Sequence, residues 1–510
     1  MALHGGRNRE RARVPRAVAY LPPRILDSIP GFLAWASLVL IIIGAIREPR
    51  WVLTVVAALG IYMAVRFVLG GVGNALAMRR IARWETVDWR AEYQRRRKAD
   101  SLAWEAVHHV AIIPNYKEAI AKLRATLQRL AEFPDAPRML TVVLAMEADD
   151  PGARSTFEQL HAEFAGRFAR VIYSSHPYGL PGESTGKAFN EAWAARLVKQ
   201  RLVDDLGYPI DNLIVTVLDA DSRLHTRYLE ALTCLFATDP ARWRVIWQSP
   251  ARYHNNVWDV PAPISLLHVY SSAWETAYLA APWWFSLPYS TYSISLRLLH
   301  EVGYWNAEPE DQHIFTQCYF HHGGSVHVRP LYLPFSCDAT TGTNLLDAFR
   351  ARYKQTARHT WWGVKEISYT TDQIVGRRKG VPWLGGAQLL MQLAHDQIMA
   401  GAGWVIMTLG AQLSFLLHPR LLVFDSPQMI TLSVAMGIVT LMGFAFWVMD
   451  WAARPPRTRP WTWKERLALL VSFPLLPVLT VIALALPVLE AQTRLLLDLP
   501  PTFGRMTRKH

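Results

Sequence analysis

The stretch "VTVLDADSRLHTRYLEALTCLF" (residues 215–236) decides how the central part of the chain folds. Its apolar, β-branched beginning, Val215 to Leu218, predicts a buried strand. The strand ends in two carboxylates, Asp219 and Asp221, with one alanine between them. Two acids this close repel each other unless a positive charge lies near both. The pattern therefore indicates a divalent cation at the end of the strand.

A helix N-terminus is the alternative interpretation of the same residues. Asp221 or Ser222 could cap a helix that starts near Leu224, because Asp and Ser side chains accept hydrogen bonds from the first backbone N–H groups of helices. The two acids alone do not distinguish a metal site from a helix cap.

Strands and helices alternate around this stretch, which predicts an α/β fold with a mostly parallel sheet and helices on both of its faces. The predicted strands cover residues 108–116, 138–147, 168–175, 213–218 and 244–250, and the predicted helices cover 117–133, a segment from about Ala153, and 187–206.

The acids of the central region follow the predicted strands. Residues 115–118 follow the first strand, residues 147–150 follow the second, and Asp219 and Asp221 follow the fourth. Ligands of such sheets bind beyond the carboxyl ends of the strands. The sequence therefore predicts one site at this edge.

Composition indicates a membrane protein with a water-facing domain. The chain has 510 residues, of which 51% are hydrophobic and 19% charged, and this length predicts more than one domain. Five apolar runs are long enough to cross a hydrocarbon core of about 30 Å. They are Gly31–Ile46, Trp51–Gly71, Met399–Leu417, Ile430–Met449 and Leu467–Leu489.

Basic residues flank these runs and predict their orientation. Six arginines precede the first run, "RRRK" (95–98) follows the second, and "RPPRTRPWTWKER" (454–466) precedes the last. The positive-inside rule then places the N-terminus and the central domain in the cytoplasm. The net charge of +13 is thus expected to face the lipid bilayer of an inner or plasma membrane, and no nucleic-acid partner is expected.

A cleaved signal peptide is not expected, because six arginines and a Pro pair precede the first run and a second run follows directly. The predicted organisation has five parts, with interface helices near residues 260–290 and 345–366. The parts are a basic cytoplasmic N-terminus (1–24), two transmembrane helices (25–71), a cytoplasmic domain (72–390), about three transmembrane or re-entrant helices (391–490) and a basic, cytoplasmic tail (491–510).

The three cysteines, Cys234, Cys318 and Cys337, have no metal-binding spacing. They are expected to be reduced, partly buried thiols, as is usual in a cytoplasmic domain.

Two further motifs lie downstream of Asp221. "YWNAEPEDQHIF" contains the acid pair Glu310 and Asp311, and "YKQTARHTWWGVKE" (353–366) lies just before the third apolar run. The second motif places polar and aromatic side chains at helical spacing: Gln355, Arg358, Trp361 and Trp362.

Each motif also has a structural interpretation. Glu310 and Asp311 could be an acid pair favoured by the dipole at a helix N-terminus. Trp361 and Trp362 could anchor the chain at the membrane interface. Lys187 could be a solvated helix residue.

In this order the motifs resemble those of the family 2 glycosyltransferases of the GT-A fold, specifically the membrane-embedded ones that include cellulose, chitin and hyaluronan synthases. The resemblance runs from about His108 to Gly363 and extends to the flanking spans. It implies a GT-A type domain flanked by transmembrane helices. It also implies an inverting transferase that moves a sugar from a nucleotide-diphosphate sugar to a hydroxyl group.

The resemblance implies roles for individual residues. "PNYKE" (114–118) is similar to the family's P-x-Y-N-E, with Lys117 where Asn is usual, and "GKAFNEA" (186–192) is similar to G-K-A-x-N-x-A. The implied nucleotide-sugar-binding residues are Pro114, Tyr116, Glu118, Glu147 (with Asp149 and Asp150 as rivals), Lys187, Asp219, Gln355 and Arg358.

"DADS" is similar to the D-x-D motif, which makes Asp219 and Asp221 the implied ligands of Mg²⁺ or Mn²⁺, with Asp221 the more direct ligand. "PEDQH" resembles T-E-D, with Pro309 in place of Thr. Asp311 is then the implied general base and Glu310 the residue that orients it.

"QTARH" resembles Q-x-x-R-W, with His359 where the family has Trp. This departure leaves the acceptor contact to His359, Trp361 or Trp362. The stretch 254–296, rich in Trp and Tyr, is expected to form the acceptor face.

The expected partners are a nucleotide-diphosphate sugar, with a UDP-sugar as the first expectation, and a glycan or lipid-linked acceptor at the cytoplasmic membrane face. Polysaccharide synthesis and export could be coupled to the transfer.

A non-catalytic membrane protein or transporter that binds nucleotide sugars is the alternative. It is disfavoured because both acid pairs are present, and because Arg66 is the only charge within the predicted spans.

Overall fold

The computed structural model describes residues 20–183, 186–376, 380–421 and 426–503. Most of the predicted basic N-terminus and the end of the predicted C-terminal tail lie outside the described residues.

In the described part of the chain, nine strands form two sheets. They are β1 (His108–Asn115), β2 (Leu140–Glu147), β3 (Arg170–His176), β4 (Leu213–Val217), β5 (Val245–Gln248), β6 (Ala251–Arg252), β7 (Tyr292–Ser295), β8 (His327–Pro330) and β9 (Phe335–Ser336). The main sheet has the order β3-β2-β1-β4-β7-β5-β8, and β6 pairs with β9 in a small second sheet.

The predicted α/β class is confirmed, and the main sheet contains two strands that the sequence did not predict, β7 and β8. Strands β3, β2, β1 and β4 pair with one another in parallel, in that order. β7, however, lies antiparallel between β4 and β5. It has only four residues, all buried, and lies within the aromatic-rich stretch 254–296, where no strand was expected.

Eighteen α-helices accompany the strands in the described residues, with π-helical turns at Lys199–Asp205, Met399–Gly403 and Val481–Ala485. They are α1 (Pro23–Arg47), α2 (Pro49–Trp84), α3 (Trp89–Arg96), α4 (Ile120–Leu130), α5 (Ala136–Met139), α6 (Ala153–Glu163), α7 (Lys187–Val198), α8 (Tyr228–Thr238), α9 (Ala262–Ala280), α10 (Leu296–Val302), α11 (Glu310–His321), α12 (Leu345–Val375), α13 (Trp383–Ile398), α14 (Trp404–Leu417), α15 (Pro427–Ala452), α16 (Trp463–Ser472), α17 (Leu476–Thr480) and α18 (Leu486–Leu496).

Strand β4 shows why the central run of residues is apolar at all positions but one. Val215 and Val217 pack in the core on the α7 side of the sheet, whereas Ile214 packs with α4 and α8 on the other side. A strand covered on both faces is nearly continuously apolar, and the hydroxyl of the exception, Thr216, lies 2.8 Å from that of Ser293. Asp219 follows as soon as the strand leaves this core.

Within the residues that the structure describes, five helical segments are long and apolar enough to cross a membrane, and their bounds differ from those of the apolar runs in the sequence. The second continues to Trp84 and the third begins at Trp383. The segments are Pro23–Arg47, Pro49–Trp84, Trp383–Leu417, Pro427–Ala452 and Leu476–Leu496.

The last of these segments corrects a predicted boundary. The apolar run Leu467–Leu489 is not one helix, because α16 ends at Ser472 and the next helix begins at Leu476. Pro474 lies in this break and Pro477 in the first turn of the second helix, where its missing N–H costs no intrahelical bond. The helix then continues to Leu496, into the region predicted as a tail.

The third segment begins earlier in the structure than in the sequence prediction. It therefore includes Asp396, a second charged residue among the candidate spans. Asp396 of α13 accepts a hydrogen bond from Arg66 of α2 at 2.9 Å, and Tyr278 of α9 also contacts Arg66. The guanidinium lies over the Trp274 ring, 5.0 Å from its centroid. The sequence had suggested that Arg66 is the only charge in the spans. Asp396 is a second charge there, so that expectation is wrong.

Helix α12 joins the sheet domain to the candidate spans. Glu366 lies 2.8 Å from His313 of α11. Two residues further along α12, Ser368 donates a hydrogen bond to Asp27 of α1 at 2.5 Å, and Lys365 lies 2.9 Å from the same carboxylate. One rigid element thus contacts both α11 and α1.

Candidate active site

A buried ammonium group joins two acid motifs that are far apart in the sequence. The Nζ atom of Lys187 lies 3.0 Å from Asp219 Oδ1 and 2.6 Å from Glu310 Oε1. Asp219 follows β4, Glu310 opens α11, and Lys187 opens α7. The three elements therefore bring these side chains together at the carboxyl end of the sheet.

The surroundings of Lys187 keep it charged. Burial alone would lower its pKa, but the carboxylates of Asp219, Glu191 and Glu310 outweigh burial and raise the pKa well above its ordinary value. Glu191 is fully buried 3.3 Å from the ammonium, and burial raises the pKa of this carboxyl group. Lys187 is thus a fixed positive charge among acids, and the interpretation as a solvated surface lysine is wrong.

Ser290 forms a second link between the two motifs. Its hydroxyl donates a hydrogen bond to Asp219 Oδ2 at 2.6 Å, and its backbone N–H donates to Asp311 Oδ2 at 3.0 Å. One residue therefore contacts an acid of each motif.

Asp311 lies in the first turn of α11, half-buried. Its second oxygen accepts the backbone N–H of Gln312 at 2.7 Å. Burial and the adjacent charge of Glu310 raise the pKa of Asp311 to about 7, although the hydrogen bonds from Ser290 and Gln312 oppose this shift. A carboxyl group with this pKa can accept and release a proton near neutrality.

A third carboxylate holds the start of α7. Glu308 Oε1 accepts the backbone N–H of Ala188 at 2.9 Å, which satisfies one of the N–H groups that the first turn of a helix leaves unpaired. A Cβ atom on Gly186 would overlap this carboxylate. Glycine at position 186 therefore lets Glu308 approach, and burial and the charge of Glu310 raise the pKa of Glu308 to about 8.

Asp221 lies buried near another acid, Asp338. The backbone N–H of Asp338 donates to Asp221 Oδ2 at 3.3 Å, and Asn255 bridges the two residues by donating to the Asp221 carbonyl and to Asp338 Oδ1. Lys122 lies 3.2 Å from Asp338 Oδ2 and 3.6 Å from Glu118 Oε2. This chain of contacts connects the loop after β1 to the D-x-D motif.

The residues at this edge fit a hard divalent cation. Asp219 and Asp221 offer carboxylate oxygens, and Asp219 already contacts one cation, the ammonium of Lys187. No group of three metal-ligating side chains occurs in the parts of the chain that the structure describes. Mg²⁺ in proteins is commonly held by one or two carboxylates together with substrate phosphates, so the donor set suits a metal that arrives with a phosphate-bearing ligand.

Glu147, at the end of β2, contacts His176 at the end of β3. Glu147 Oε2 lies 3.1 Å from His176 Nδ1, and Glu183 lies 2.8 Å from the other ring nitrogen. Burial would lower the pKa of His176, but the two carboxylates outweigh burial and raise it. Asp150, a rival of Glu147 in the sequence, instead accepts the backbone N–H of Lys117.

Pro114 and Tyr116 lie at the end of β1 and in the turn that follows. Pro114 pairs in register with Ala145 of β2. The Lys117 ammonium lies 4.9 Å from the centroid of the Tyr116 ring. Both residues are therefore at the strand edge where the acids lie.

The residues of α12 that were predicted to bind the nucleotide sugar or the acceptor have surroundings that differ from one another. Gln355 accepts hydrogen bonds from Thr340 at 2.8 Å and from Arg352 at 3.2 Å. Arg358 is half-buried and His359 is exposed. No ion pair joins Arg358 to the acids around Lys187 in the described part of the chain.

The tryptophans that follow on α12 pack toward the C-terminal helix. Trp361 is buried with Leu495 and its ring centroid lies 6.1 Å from that of Phe503, and Trp362 packs against the same cluster. The acceptor role of Trp361 and Trp362 stays a prediction, and these contacts are those of membrane-side packing.

The structure also brings Ser290, Glu308, Asp338 and His176 into the site, and none of them was named from the sequence. Ser290 precedes β7, Asp338 follows β9 and His176 ends β3, and a serine, a lone acid or a histidine there carries little signal. Glu308 precedes the predicted acid pair by two residues, and the run of acids "EPED" (308–311) could have indicated it.

Comparison with known proteins gives matches only among solved structures. No family model matches the chain, and no curated protein sequence matches it. The chain is similar to the mannosyltransferase PcManGT from Pyrobaculum calidifontis, in complex with GDP-Man and Mn²⁺, with 15% identity over 78% of this chain and 100% of that chain and a TM-score of 0.42.

It is also similar to residues 1–349 of S. aureus TarS in complex with UDP-GlcNAc, with 13% identity over 69% of this chain and 93% of that chain and a TM-score of 0.31. Neither likeness is close enough to decide fold family or chemistry. PcManGT is a mannosyltransferase, and both of these structures hold a nucleotide sugar.

Proposed function

We propose that this protein is a membrane-embedded, inverting glycosyltransferase of the GT-A type. It transfers a sugar from a nucleotide-diphosphate sugar to a hydroxyl group of a glycan or lipid-linked acceptor at the cytoplasmic face. The observation that carries the proposal is the contact of Lys187 with both Asp219 and Glu310. This contact unites the acids of the D-x-D and E-D motifs at the strand edge where α/β sheets bind ligands.

Asp219 and Asp221 would hold Mg²⁺ or Mn²⁺, which supplies charge neutralisation for the departing nucleoside diphosphate when it is bound. Lys187 places a permanent positive charge beside the Asp219 carboxylate. The guanidinium of Arg358, planar and always charged, is suited to the phosphates from the α12 side.

Asp311 acts as the general base. Its carboxylate takes the proton of the acceptor hydroxyl as that oxygen forms a bond to the anomeric carbon. The bond from that carbon to the diphosphate oxygen breaks, and the nucleoside diphosphate leaves with the electron pair. One displacement inverts the anomeric configuration and needs no protein nucleophile.

Glu147 and Glu118, with Pro114 and Tyr116, surround the nucleotide from the ends of β1 and β2. His176 keeps the Glu147 carboxylate in a fixed orientation from β3. His359, exposed on α12, is a candidate for the acceptor contact.

The first experiment uses full-length protein purified in detergent or nanodiscs. We would measure nucleoside diphosphate release from a panel of UDP-, GDP- and dTDP-sugars with Mn²⁺ or Mg²⁺. Asp311→Asn should abolish release, and Asp204→Asn, which alters a surface acid paired with Lys199, should not.

Metal-dependent release from one donor, lost in Asp311→Asn, would support the transferase and name its sugar. Full activity in Asp311→Asn would reject the assigned base. Metal-dependent binding of a nucleotide sugar, without release of nucleoside diphosphate from any donor in the presence of any acceptor, would favour the non-catalytic alternative.

A further inference from the structure

Ser290 has a backbone conformation that serine rarely adopts. Its φ angle is 52°, in the left-handed region that favours glycine. Three other non-glycine residues share a positive φ in the described parts of the chain: Lys117, Tyr304 and Asp498. A strained conformation of this kind persists only where the surrounding structure fixes it, and such positions concentrate at functional sites.

The neighbours of Ser290 fix its backbone on both sides. The Tyr289 backbone N–H donates to Gln248 Oε1 at 2.9 Å, and the Tyr289 hydroxyl donates to the Ser249 carbonyl at 3.1 Å. On the other side, the hydroxyl of Thr291 lies 2.9 Å from that of Ser222. The strain at position 290 is thus held by β5 and by the turn after Asp221.

Glycine would satisfy the backbone at position 290 without strain, yet the chain has serine. What serine adds is one hydroxyl group, and that hydroxyl donates to Asp219 Oδ2 at 2.6 Å. The left-handed backbone directs the N–H of the same residue to Asp311 Oδ2 at 3.0 Å. Both features of Ser290 are therefore used, one for each acid.

We infer that Ser290 is a positioning residue that fixes Asp219 and Asp311 relative to each other. This inference rests on the proposed function and adds a residue to it. Asp219 accepts Lys187 on Oδ1 and Ser290 on Oδ2, so its carboxylate plane is held from two directions. The donor sugar, bound through Asp219, then meets Asp311 at a constant distance.

Substitution of Ser290 should therefore change the stability and the activity of the protein in different ways. Ser290→Gly removes the hydroxyl and relieves the strain, so the variant should be at least as thermostable as wild type. The turnover number should nevertheless fall about tenfold or more, because small misplacements of reacting groups are costly. KM for the donor should change less than kcat, since Lys187 and the other donor contacts remain.

The experiment compares Ser290→Gly, Ser290→Ala and wild type by thermal unfolding in detergent and by steady-state kinetics. Ser290→Ala also lacks the hydroxyl but keeps the strain, so its kcat should fall as in the glycine variant while its unfolding temperature stays below that of Ser290→Gly. Asp498→Gly is the matched control, because it relieves a left-handed residue (φ 59°) on the C-terminal segment. Its kcat should equal that of wild type.

A Ser290→Gly variant with wild-type kcat would overturn this inference and leave the proposed function intact. Activity that falls only in proportion to lost stability across the variants would also overturn it. Wild-type protein that neither transfers sugar nor binds UDP or GDP with Mn²⁺ would instead reject the proposed function itself, and the inference with it.

Discussion

The carboxylate of Glu308 accepts the backbone N–H of Ala188 at 2.9 Å, and the residue before that alanine, Lys187, reaches Asp219 and Glu310. The segment 308–310 therefore holds the start of α7 at two points: Glu308 accepts the backbone N–H of Ala188, and Glu310 contacts the ammonium group of Lys187. The position of Lys187 depends on how closely this segment approaches the start of α7.

Gly186→Ala tests this approach. The added methyl group would overlap the Glu308 carboxylate, which must then move and release Ala188. Loss of a helix cap costs about 0.5–2 kcal/mol, so we expect a loss of unfolding free energy in this range. We also expect kcat to fall about tenfold, because Lys187 shifts with the helix.

The matched control is Gly152→Ala, at the start of α6, where a Cβ atom would meet only Asp150 Oδ1 at an ordinary 3.5 Å. Thermal unfolding and nucleoside diphosphate release would be measured on both variants. Equal effects of the two substitutions would contradict the role of the Glu308 contact.

The raised pKa of Asp311 predicts the pH dependence of activity. A base must be ionised to accept a proton, so kcat should rise with pH and reach half its maximum near pH 7. The charge of Glu310 contributes to this raised pKa. Glu310→Gln removes a negative neighbour and should therefore move the rising limb of the profile to lower pH.

Glu163→Gln, which alters a surface partner of Arg124, should leave the profile in place. The measurement is kcat across pH 5–9 for the three proteins. A Glu310→Gln profile that stays at the wild-type midpoint, or moves to higher pH, would refute this account of the Asp311 environment.

Lys187→Met should reduce both activity and stability. The substitution leaves Glu191 buried without its counter-ion, and removing one partner of a buried ion pair costs about 3–5 kcal/mol. We expect a loss of unfolding free energy toward the lower end of this range, since the carboxyl groups can take up protons. Sugar transfer should fall at least about 100-fold, because the fixed charge beside Asp219 is lost.

The double variant Lys187→Met/Glu191→Leu separates the two effects. It removes the buried acid together with the ammonium, so it should regain stability without regaining activity. Lys199→Met, at the end of the same helix and paired with exposed Asp204, is the control for a lost lysine. Recovery of transfer in the double variant would show that Lys187 has only a structural role.

Arg66→Leu should weaken the contact between α2 and α13. The ion pair with Asp396 is incompletely buried, since 15% of the Arg66 side chain and 34% of the Asp396 side chain are exposed. We therefore expect the free energy of unfolding to fall by about 2 kcal/mol, which is below the ~3–5 kcal/mol lost when a fully buried pair is broken. Arg66→Leu/Asp396→Leu should recover part of the loss. Unfolding in detergent would be followed for both variants, and a double variant less stable than the single one would contradict the pairing.

The sequence predicted the fold where local patterns were strong. The continuous apolar run before Asp219 required a strand covered on both faces, and β4 has that environment. β7 and β8 were missed because strands of only four residues carry little local pattern, and β7 also lies within an aromatic-rich segment. The prolines of the last apolar run, Pro474, Pro477 and Pro487, indicated a kinked or re-entrant segment, but hydropathy alone did not locate the break before Leu476.

The candidate site could be predicted as far as its acids were spaced in recognisable motifs. Asp219 and Glu310 were identified as members of closely spaced acid pairs, whereas Lys187 was named only through the family resemblance of "GKAFNEA" (186–192). In the structure Lys187 contacts both acids. Ser290 and Asp338 could not be named, because their relevance arises from contacts 71 and 117 residues away along the chain.

Helix α12 links the candidate base to a candidate membrane span. It contacts α11, which carries Asp311, through Glu366, and it contacts α1 through Ser368 and Lys365. If α1 spans the bilayer and Asp311 is the base, as proposed, α12 holds the base at a constant height above the lipid. The acceptors used would then be those whose reactive hydroxyl stands at that height above the membrane surface.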